Sequence, residues 1–147
     1  MTSSTLATTS VKPFHLSMCV NNLEETRNFY STILGLEERR TSKLSAHFDF
    51  YGCQLTCHHI PGFNAKKIQR EVDSENVPVP HFGAALPYDE FERAKERLND
   101  HGVPFLVHPH KRFVGTKHEQ HVMFIEDPSG HGIELKSFTQ APENTWA

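Results

Sequence analysis

The first half of the chain alternates apolar and polar positions and then changes to a helical spacing. In FHLSMCV (14–20) every second residue is apolar, which predicts a half-buried strand. The next segment, NNLEETRNFYSTILGL (21–36), carries an apolar stripe at helical spacing. Asn22 is its predicted N-cap, with Glu25 three residues on, and Gly35 is its predicted end. Further strands are predicted near 37–41, at 47–52 and at 54–60.

The second half repeats this order of elements. HFGAAL (81–86) predicts a strand, and YDEFERAKERLND (88–100) predicts a helix with one apolar face, ended by Gly102. The last two strands are joined by DPSG (127–130), whose proline and glycine favour a tight turn. The three strands of this half are predicted at 104–110, 121–127 and 131–138.

A βαβββ unit that occurs twice predicts an α+β fold. The two modules are expected to place their sheets side by side as a curved, half-open mixed β-barrel with the helices outside. A single domain is predicted at 13–140, with module one at 13–60 and module two at 81–138. The polar, proline-bounded segment 61–80 is interpreted as a linker that also covers a site.

Composition and charge narrow the class of protein. With 147 residues, the chain is expected to form one domain with a substantial core. A net charge of −3 gives no basic excess for nucleic acid, and no apolar run suggests a membrane partner. The three cysteines do not form a disulfide framework, which favours a reducing, cytoplasmic location. The Ser/Thr-rich residues 1–12 are predicted to be a disordered tail rather than a signal peptide, and 139–147 a C-terminal tail.

Histidine is unusually frequent, with 11 residues, and two of them occupy equivalent places in the repeat. His15 lies on the polar face of the first predicted strand, and His81 begins the matching strand of module two. Glu134 stands between two apolar residues on the last strand, so its side chain is expected to point away from the core into a cleft. Alignment of the modules puts Thr56 at the place of Glu134, so module one offers no fourth strong ligand.

Two imidazoles and one carboxylate predict a metal site with open positions. This donor set suits non-haem Fe(II), with room for substrate and O₂. The same donors suit Mn, Ni or Zn acting as a Lewis acid. A buried carboxylate is costly by itself, and a divalent cation would compensate its charge. Each residue taken singly is more often a structural or surface group. The joint pattern favours one divalent metal ion, and Fe(II), Mn, Ni and Zn all stay open from the residues alone.

Two segments carry a resemblance to a known family. FHLSMCVNNLEETRNFYSTILGLE (14–37) and FIEDPSGHGIELKSF (124–138) resemble the opening strand and helix and the closing hairpin of the vicinal oxygen chelate superfamily, also called glyoxalase/bleomycin-resistance/dioxygenase proteins. The resemblance covers roughly 14–138 and implies that His15, His81 and Glu134 are the metal ligands.

The resemblance also separates branches of that superfamily. Thr56 departs from the four-ligand arrangement of glyoxalase I, whereas three ligands resemble the extradiol-dioxygenase and fosfomycin-resistance patterns. The potassium-binding loop of the fosfomycin-resistance branch is not found in the sequence. The chain is most similar to the small, predicted extradiol-type dioxygenase branch.

Further polar residues are predicted on the cleft face. His58 and Lys136 lie two residues beyond Thr56 and Glu134, so they are equivalent in the repeat. A base that takes a proton from a bound catechol is predicted at His58 or His121, the alternative being that both are surface histidines. The candidate catalytic residues are therefore His58, His121 and Lys136.

A substrate pocket is predicted around the same cleft. Arg112, in a basic loop, is expected to grip a substrate carboxylate, the alternative being a solvated loop. Phe124 and Phe138 are expected to form apolar walls, the alternative being a core position, which is the more common place for such a residue. Ser17 and Gln54 complete the predicted substrate-binding set.

Three functions remain open from the sequence. The first is an Fe(II) enzyme that binds a catechol-like or vicinal-oxygen substrate and activates O₂. The second is a glyoxalase-like lyase or isomerase, or a thiol transferase, using Mn, Ni or Zn without O₂. The third is a metal-free protein that binds a drug or metabolite. A homodimer is expected, with His15 joining His81 and Glu134 either within the chain or from the partner.

Overall fold

The computed structural model describes residues 14–141, so the predicted tail at 1–12 and residues 142–147 lie outside the described part of the chain. None of the helices in the described range is long and apolar enough to span a bilayer. The helical elements are α1 (Leu23–Arg27), a π-helical continuation (Asn28–Ile33), a 3₁₀ turn (Ala65–Lys67) and α2 (Tyr88–Asp100). The strands are β1 (His15–Val20), β2 (Glu38–Thr41), β3 (Ser45–Phe50), β4 (Cys53–His59), β5 (Arg70–Val72), β6 (Val77–Val79), β7 (His81–Ala85), β8 (Val107–Arg112), β9 (Gln120–Glu126) and β10 (Gly132–Phe138).

The first helix begins and ends where the sequence predicted. The Asn22 side chain accepts a hydrogen bond from the backbone N–H of Glu25 at 3.1 Å, so it caps the helix. Beyond α1 the helix widens, and the N–H of Leu34 donates to the carbonyl of Phe29, five residues back. Gly35 then adopts a φ of 75°, which ends the helix in the left-handed region that glycine tolerates.

Two four-stranded mixed sheets form the body of the protein, as the α+β prediction required. The strand order is β1-β4-β3-β2 in the first sheet and β7-β10-β9-β8 in the second. In each sheet the first and last strands of the module run parallel, and the remaining pairs are antiparallel. Neither sheet closes on itself, so the described strands form no closed barrel.

Strand register confirms the internal repeat residue by residue. Ser17, two positions after His15, pairs with Thr56 of β4. Gly83, two positions after His81, pairs with Glu134 of β10. Thr56 and Glu134 therefore occupy the same place in their sheets, as the sequence alignment of the modules predicted. Since partners across a ladder point to the same face, each sheet has one polar face on the side of these residues.

The opposite faces of both sheets contribute to one core. Helix α2 buries Phe91, Ala94 and Leu98, which is the apolar face predicted from the sequence. Leu55 of the first sheet and Ile133 of the second lie in the same buried cluster as this helix. The two modules thus share a hydrophobic core, while the polar faces are left for other contacts.

A buried hydrogen bond joins the modules within this core. The Tyr30 hydroxyl donates to Oδ2 of Asp127 at 2.8 Å, and Tyr30 is fully buried. Oδ1 of the same carboxylate accepts the backbone N–H groups of Ser129 and His131, each at 2.9 Å. Asp127 therefore stabilises the turn predicted at 127–130 through hydrogen bonds to its Oδ1. Its Oδ2 accepts the hydrogen bond from Tyr30 of the other module.

Loss of the Tyr30 hydroxyl is expected to destabilise the protein. Tyr30→Phe should lower the free energy of unfolding by about 1.5–3 kcal/mol, because Oδ2 of Asp127 would stay buried without its donor. Urea unfolding followed by circular dichroism would measure the difference. The matched control is Tyr51→Phe, since the buried Tyr51 hydroxyl has no hydrogen-bond partner among residues 14–141. That control should change stability by less than about 0.5 kcal/mol, and equal losses in both variants would contradict the argument.

Two predictions of secondary structure were incomplete. The segment 61–80 is not an irregular linker, because it contains the 3₁₀ turn and the antiparallel hairpin of β5 and β6. The hairpin packs on the second sheet, where Val77 lies in a buried cluster with Val107 and Phe124. Strand β8 begins at Val107 rather than at 104, and its register shifts between Val107 and His110. Pro109 lies in this irregular part of an edge strand, which is where a strand tolerates proline.

Candidate metal site

Two of the three predicted ligands meet on the polar face of the second sheet. Nε2 of His81 lies 3.4 Å from Oε2 of Glu134, and the side chains are 25% and 11% exposed. His81 begins β7, and Glu134 lies one strand away on β10, two positions further along the parallel register. The pairing follows from the fold, since β7 and β10 are neighbours in the sheet.

The orientation of the His81 ring is fixed by the hairpin that precedes it. Nδ1 of His81 lies 2.6 Å from the carbonyl oxygen of Pro78. A carbonyl only accepts, so Nδ1 carries the proton and donates. The rings of His81 and Phe124 pack edge to face, with their centres 5.1 Å apart. Nε2 is consequently the ring nitrogen aimed at Glu134, an arrangement in which metal-binding histidines are commonly held.

The charges in this cluster influence one another. The hydrogen bond with Glu134 raises the pKa of His81 above its ordinary value, although burial opposes the shift. Burial raises the pKa of the Glu134 carboxyl, but His81 and Lys136 outweigh it and hold the pKa below its ordinary value. Nζ of Lys136 lies 3.2 Å from Oε2 of Glu134. Glu134 is therefore an ionised carboxylate that draws positive charge towards it.

The donor pair fits a divalent metal ion. Two ligand atoms bonded at about 2.1 Å and separated by an angle of 90–110° are roughly 3.0–3.4 Å apart. The His81–Glu134 separation of 3.4 Å falls at the edge of this range. A metal ion bound there would replace the proton that otherwise lies between the imidazole and the carboxylate. One nitrogen and one oxygen donor are thus already arranged as neighbouring ligands.

The third predicted ligand lies on the other sheet. His15 begins β1, is exposed, and pairs in register with Gln54. Among residues 14–141, no group of three or more His, Cys, Asp or Glu side chains is placed to hold a metal ion. Within one chain, therefore, the structure brings together His81 and Glu134 but does not add His15 to them.

The polar face of the first sheet also contains a buried histidine that the sequence analysis missed. Ser17, Gln54 and His58 lie on this face as predicted, and all three are exposed. His47 of β3 lies beside them, only 8% exposed, with its Nδ1 3.0 Å from Oγ1 of Thr56. The alternation of HFDF (47–50) could have identified His47 from the sequence. It puts Phe48 on the apolar face of β3 and therefore His47 on the polar face.

A cavity of about 570 Å³ adjoins His81 and Glu134. Lys136 and Phe138 line it, and Nζ of Lys136 lies 5.8 Å from the centre of the Phe138 ring. Phe124 is 1% exposed and packs on the His81 ring, so it supports that ring instead of forming an open wall.

Two predicted site residues have other roles in the structure. His121 is on the face of β9 that packs on α2, with its ring centre 4.7 Å from that of Tyr88. The prediction that His121 lines the cleft as a base is therefore wrong, because alternate residues of a strand point to opposite faces. Arg112 is paired with Asp73 at 3.2 Å and with Glu75 at 3.4 Å, so its guanidinium already holds the hairpin. The expectation that it is free to grip a substrate is not supported.

Metal binding at this pair is expected to weaken in acid. Nε2 of His81 binds a proton below its pKa and must release it to bind a metal, and Glu134 raises that pKa. Apparent metal affinity should therefore fall by about tenfold per pH unit once the pH is below the raised pKa of His81. Equilibrium dialysis with Mn²⁺ at a series of pH values would measure this slope. An affinity that stays constant down to pH 5 would contradict a role for His81 as a ligand.

Comparison with known proteins places the chain in a family. A family model for the glyoxalase/bleomycin resistance protein/dioxygenase superfamily matches residues 12–135. A glyoxalase/bleomycin resistance protein/dioxygenase from Alicyclobacillus acidocaldarius is 28% identical, with a TM-score of 0.75 over 92% of this chain and 96% of that chain. A glyoxalase/dioxygenase from Nostoc punctiforme is 20% identical, with a TM-score of 0.65 over 95% of this chain and 100% of that chain. The fosfomycin resistance protein FosX from Listeria monocytogenes is 18% identical, with a TM-score of 0.62 over 92% and 96% of the two chains. At 20% and 18% identity, the last two share the fold alone.

Proposed function

Because the chain belongs to the glyoxalase/bleomycin resistance protein/dioxygenase superfamily, we propose that it is a divalent-metal-dependent enzyme acting on a small molecule with two adjacent oxygen atoms. The favoured reaction is that of a non-haem Fe(II) extradiol-type dioxygenase on a catechol-like substrate. The observation that carries the proposal is the pairing of His81 Nε2 with the Glu134 carboxylate, while Pro78 holds Nδ1. These are the imidazole and carboxylate donors that such metals bind.

The residues around the pair have separable tasks. A divalent ion would polarise the oxygens of the substrate as a Lewis acid. His81 and Glu134 would hold that ion, and Lys136 keeps the carboxylate oriented through its contact with Oε2. Phe138 borders the cavity and would place an apolar ring beside a bound substrate. His58, exposed on the polar face of the first sheet, is retained as the proposed base.

The third ligand is proposed to come from a second copy of the chain. His15 is exposed on the polar face of the first sheet, and the pair on the second sheet lacks a third protein donor within the described chain. In a homodimer, the first sheet of one copy would face the second sheet of its partner. Two equivalent sites would then form, each with His15 from one chain and His81 and Glu134 from the other.

Complementation between two defective variants tests this proposal. His15→Ala and Glu134→Ala should each lose bound metal when purified alone. When the two variants are unfolded together and refolded, mixed dimers should regain one intact site, so about a quarter of all sites should bind metal, by random pairing. His101→Ala is the control, because His101 lies at the end of α2. Metal loss in Glu134→Ala without recovery in the mixture would place all ligands in one chain. Full metal in both single variants would overturn the site.

A second candidate function rests on the same donors. Two imidazoles and a carboxylate also suit Mn, Ni or Zn, so a lyase, isomerase or thiol transferase reaction that needs no O₂ is the alternative. Oxygen uptake by the Fe(II)-loaded protein with a panel of catechols separates the two. Uptake supports the dioxygenase. Its absence across the panel, with Mn, Ni or Zn retained on purification, supports the second function.

A further inference from the structure

A β-bulge in the first sheet places two consecutive arginines at one position. Along β2, three residue steps separate Glu38 from Thr41, whereas their partners on β3 are only two steps apart. In such a bulge, two residues of one strand oppose a single residue of the other. Arg39 and Arg40 therefore both lie opposite His47, on the polar face of the sheet. Both border a cavity of about 230 Å³ on that face, which His47 also lines.

One of these arginines is neutralised, and the other is not. Arg39 pairs with Asp49 at 3.0 Å and with Glu37 at 3.3 Å. Glu38, the carboxylate of β2, is held by an arginine of α1 at 3.0 Å. Within residues 14–141, no carboxylate forms an ion pair with Arg40, which is exposed. A guanidinium carries five N–H donors, so Arg40 brings a positive charge and unused donors to the cavity.

The other polar groups of the cavity do not cancel this charge. Asp49 lines the cavity, but its Oδ1 accepts the backbone N–H of Gly52 at 2.7 Å and its Oδ2 accepts from Arg39 at 3.0 Å. These two contacts hold the pKa of Asp49 below its ordinary value. Burial and then the charge of Arg40 lower the pKa of His47, so its ring is neutral at neutral pH. Two arginines and one aspartate leave the lining with an excess of one positive charge.

A carboxylate fits this lining. It carries a single negative charge, which matches the excess in the cavity. Its two oxygens can accept paired hydrogen bonds from one guanidinium, such as that of Arg40. The side-chain amide of Gln54, which is exposed and lines the same cavity, offers two more N–H donors.

We infer that the cavity between Arg40 and Gln54 binds a carboxylate group of the substrate. This inference rests on the proposed function, in which the polar face of the first sheet meets the donor pair of the second. The substrate class is then a small acid that carries two adjacent oxygen atoms at some distance from its carboxylate. Arg40 takes the role that the sequence analysis gave to Arg112, whose charge is used by the hairpin.

The cavity lies beside the place where the third ligand is proposed. Gln54 pairs in register with His15, and neighbouring strands are about 4.8 Å apart. In the strand order β1-β4-β3-β2, Arg40 lies two strands beyond Gln54. A carboxylate held between these two side chains would therefore lie about 5–14 Å from His15, one to three strand spacings away. That separation suits a molecule in which a ring and a short chain join the carboxylate to the diol.

Metal-free protein tests the carboxylate site without any other part of the proposal. Phenylpropanoate and its uncharged counterpart, phenylpropanamide, are titrated separately into isotope-labelled protein, and the backbone amide signals of Gly52 and Gln54 are followed by NMR. The acid should bind at least about tenfold more tightly than the amide, because its carboxylate pairs with a charged donor. Arg40→Met should remove this preference. The control Arg70→Met, which removes an exposed arginine of β5, should keep it.

The outcomes separate the carboxylate site from the proposed function. Equal binding of acid and amide by the unchanged protein would overturn the site, and so would a preference that persists in Arg40→Met. Metal-loaded protein is then titrated with catechol and with dihydroxyphenylpropanoate, and the acid should bind about tenfold more tightly unless Arg40 is replaced. A protein that prefers the acid but binds no metal has the site without the proposed function. A protein that binds metal and catechol but shows no preference in either titration has the function without the site.

Discussion

Replacing Glu134 with alanine is expected to abolish stable metal binding. Glu134 is the anionic donor of the pair, its carboxylate is ionised, and its side chain is largely buried. Removal of a group that merely supports a ligand costs about 10–100-fold in metal affinity, and removal of the ligand should cost more than about 100-fold. Metal content after chelator-free purification, followed by equilibrium dialysis, would measure the loss.

Two further variants show whether this loss is specific. Glu134→Gln keeps the size of the side chain and one oxygen but removes the charge, so it should bind metal far more weakly than the unchanged protein. Glu126→Ala removes another carboxylate from the same sheet, one that pairs with Lys66 at 2.8 Å, and it should keep its metal. Full metal occupancy in Glu134→Ala would end the assignment of Glu134 as a ligand and return it to an ordinary partner of His81 and Lys136.

Adding a methyl group at Gly83 is expected to damage both the second sheet and the site. A Cβ at Gly83 would lie 1.7 Å from the carbonyl oxygen of Glu134, and its other close neighbours also belong to the Glu134 backbone. Because a backbone cannot move aside as a side chain can, β7 and β10 would have to separate at this pair. Gly83→Ala should therefore lower the free energy of unfolding by at least about 3 kcal/mol, the upper end of ordinary overpacking. Its metal affinity should fall as well, since His81 and Glu134 depend on the same strand pairing.

Gly132→Ala is the comparison for this variant. Gly132 lies on β10 opposite His81, and a Cβ there would approach Cγ of Pro78 at 3.0 Å and Cβ of His81 at 3.3 Å. These contacts are much longer than the 1.7 Å at Gly83, so a shift of a few tenths of an ångström relieves them and the cost should be smaller than at Gly83. Thermal and urea unfolding of both variants would rank them. Equal stability of Gly83→Ala and the unchanged protein would show that β7 pairs differently with β10 in solution.

Local patterns in the sequence were sufficient for most elements of the fold. The alternation around His15, the capping of α1 by Asn22 and the apolar face of α2 act over a few residues, and the structure has all three. The internal repeat also predicted positions beyond the local sequence, because two modules of the same fold put aligned residues at equivalent places in their sheets. Alignment of the modules matches Thr56 with Glu134, and the strand pairing confirms the match. The superfamily was also recognisable from the two segments that resemble it, and the family match confirms it.

Contacts between distant segments could not be predicted in this way. Nothing near Arg112 in the sequence indicates that Asp73 and Glu75 neutralise it, because the hairpin that carries them was expected to be a plain linker. Residue type alone favours His121 as a base, whereas its position on β9 turns it towards Tyr88. The Pro78 carbonyl that orients His81 is a backbone group, so no residue-type pattern can reveal it.

By itself, then, the sequence determined two βαβββ modules, their polar and apolar faces and the family to which the chain belongs. These features depend on periodicity and local propensity, to which every residue of a segment contributes. Only the tertiary structure decided that His81 and Glu134 meet while His15 stays on the other sheet, and that His47 backs Thr56. Such contacts depend on how strands pair and how sheets pack, and the free energy of that packing is shared among many distant residues.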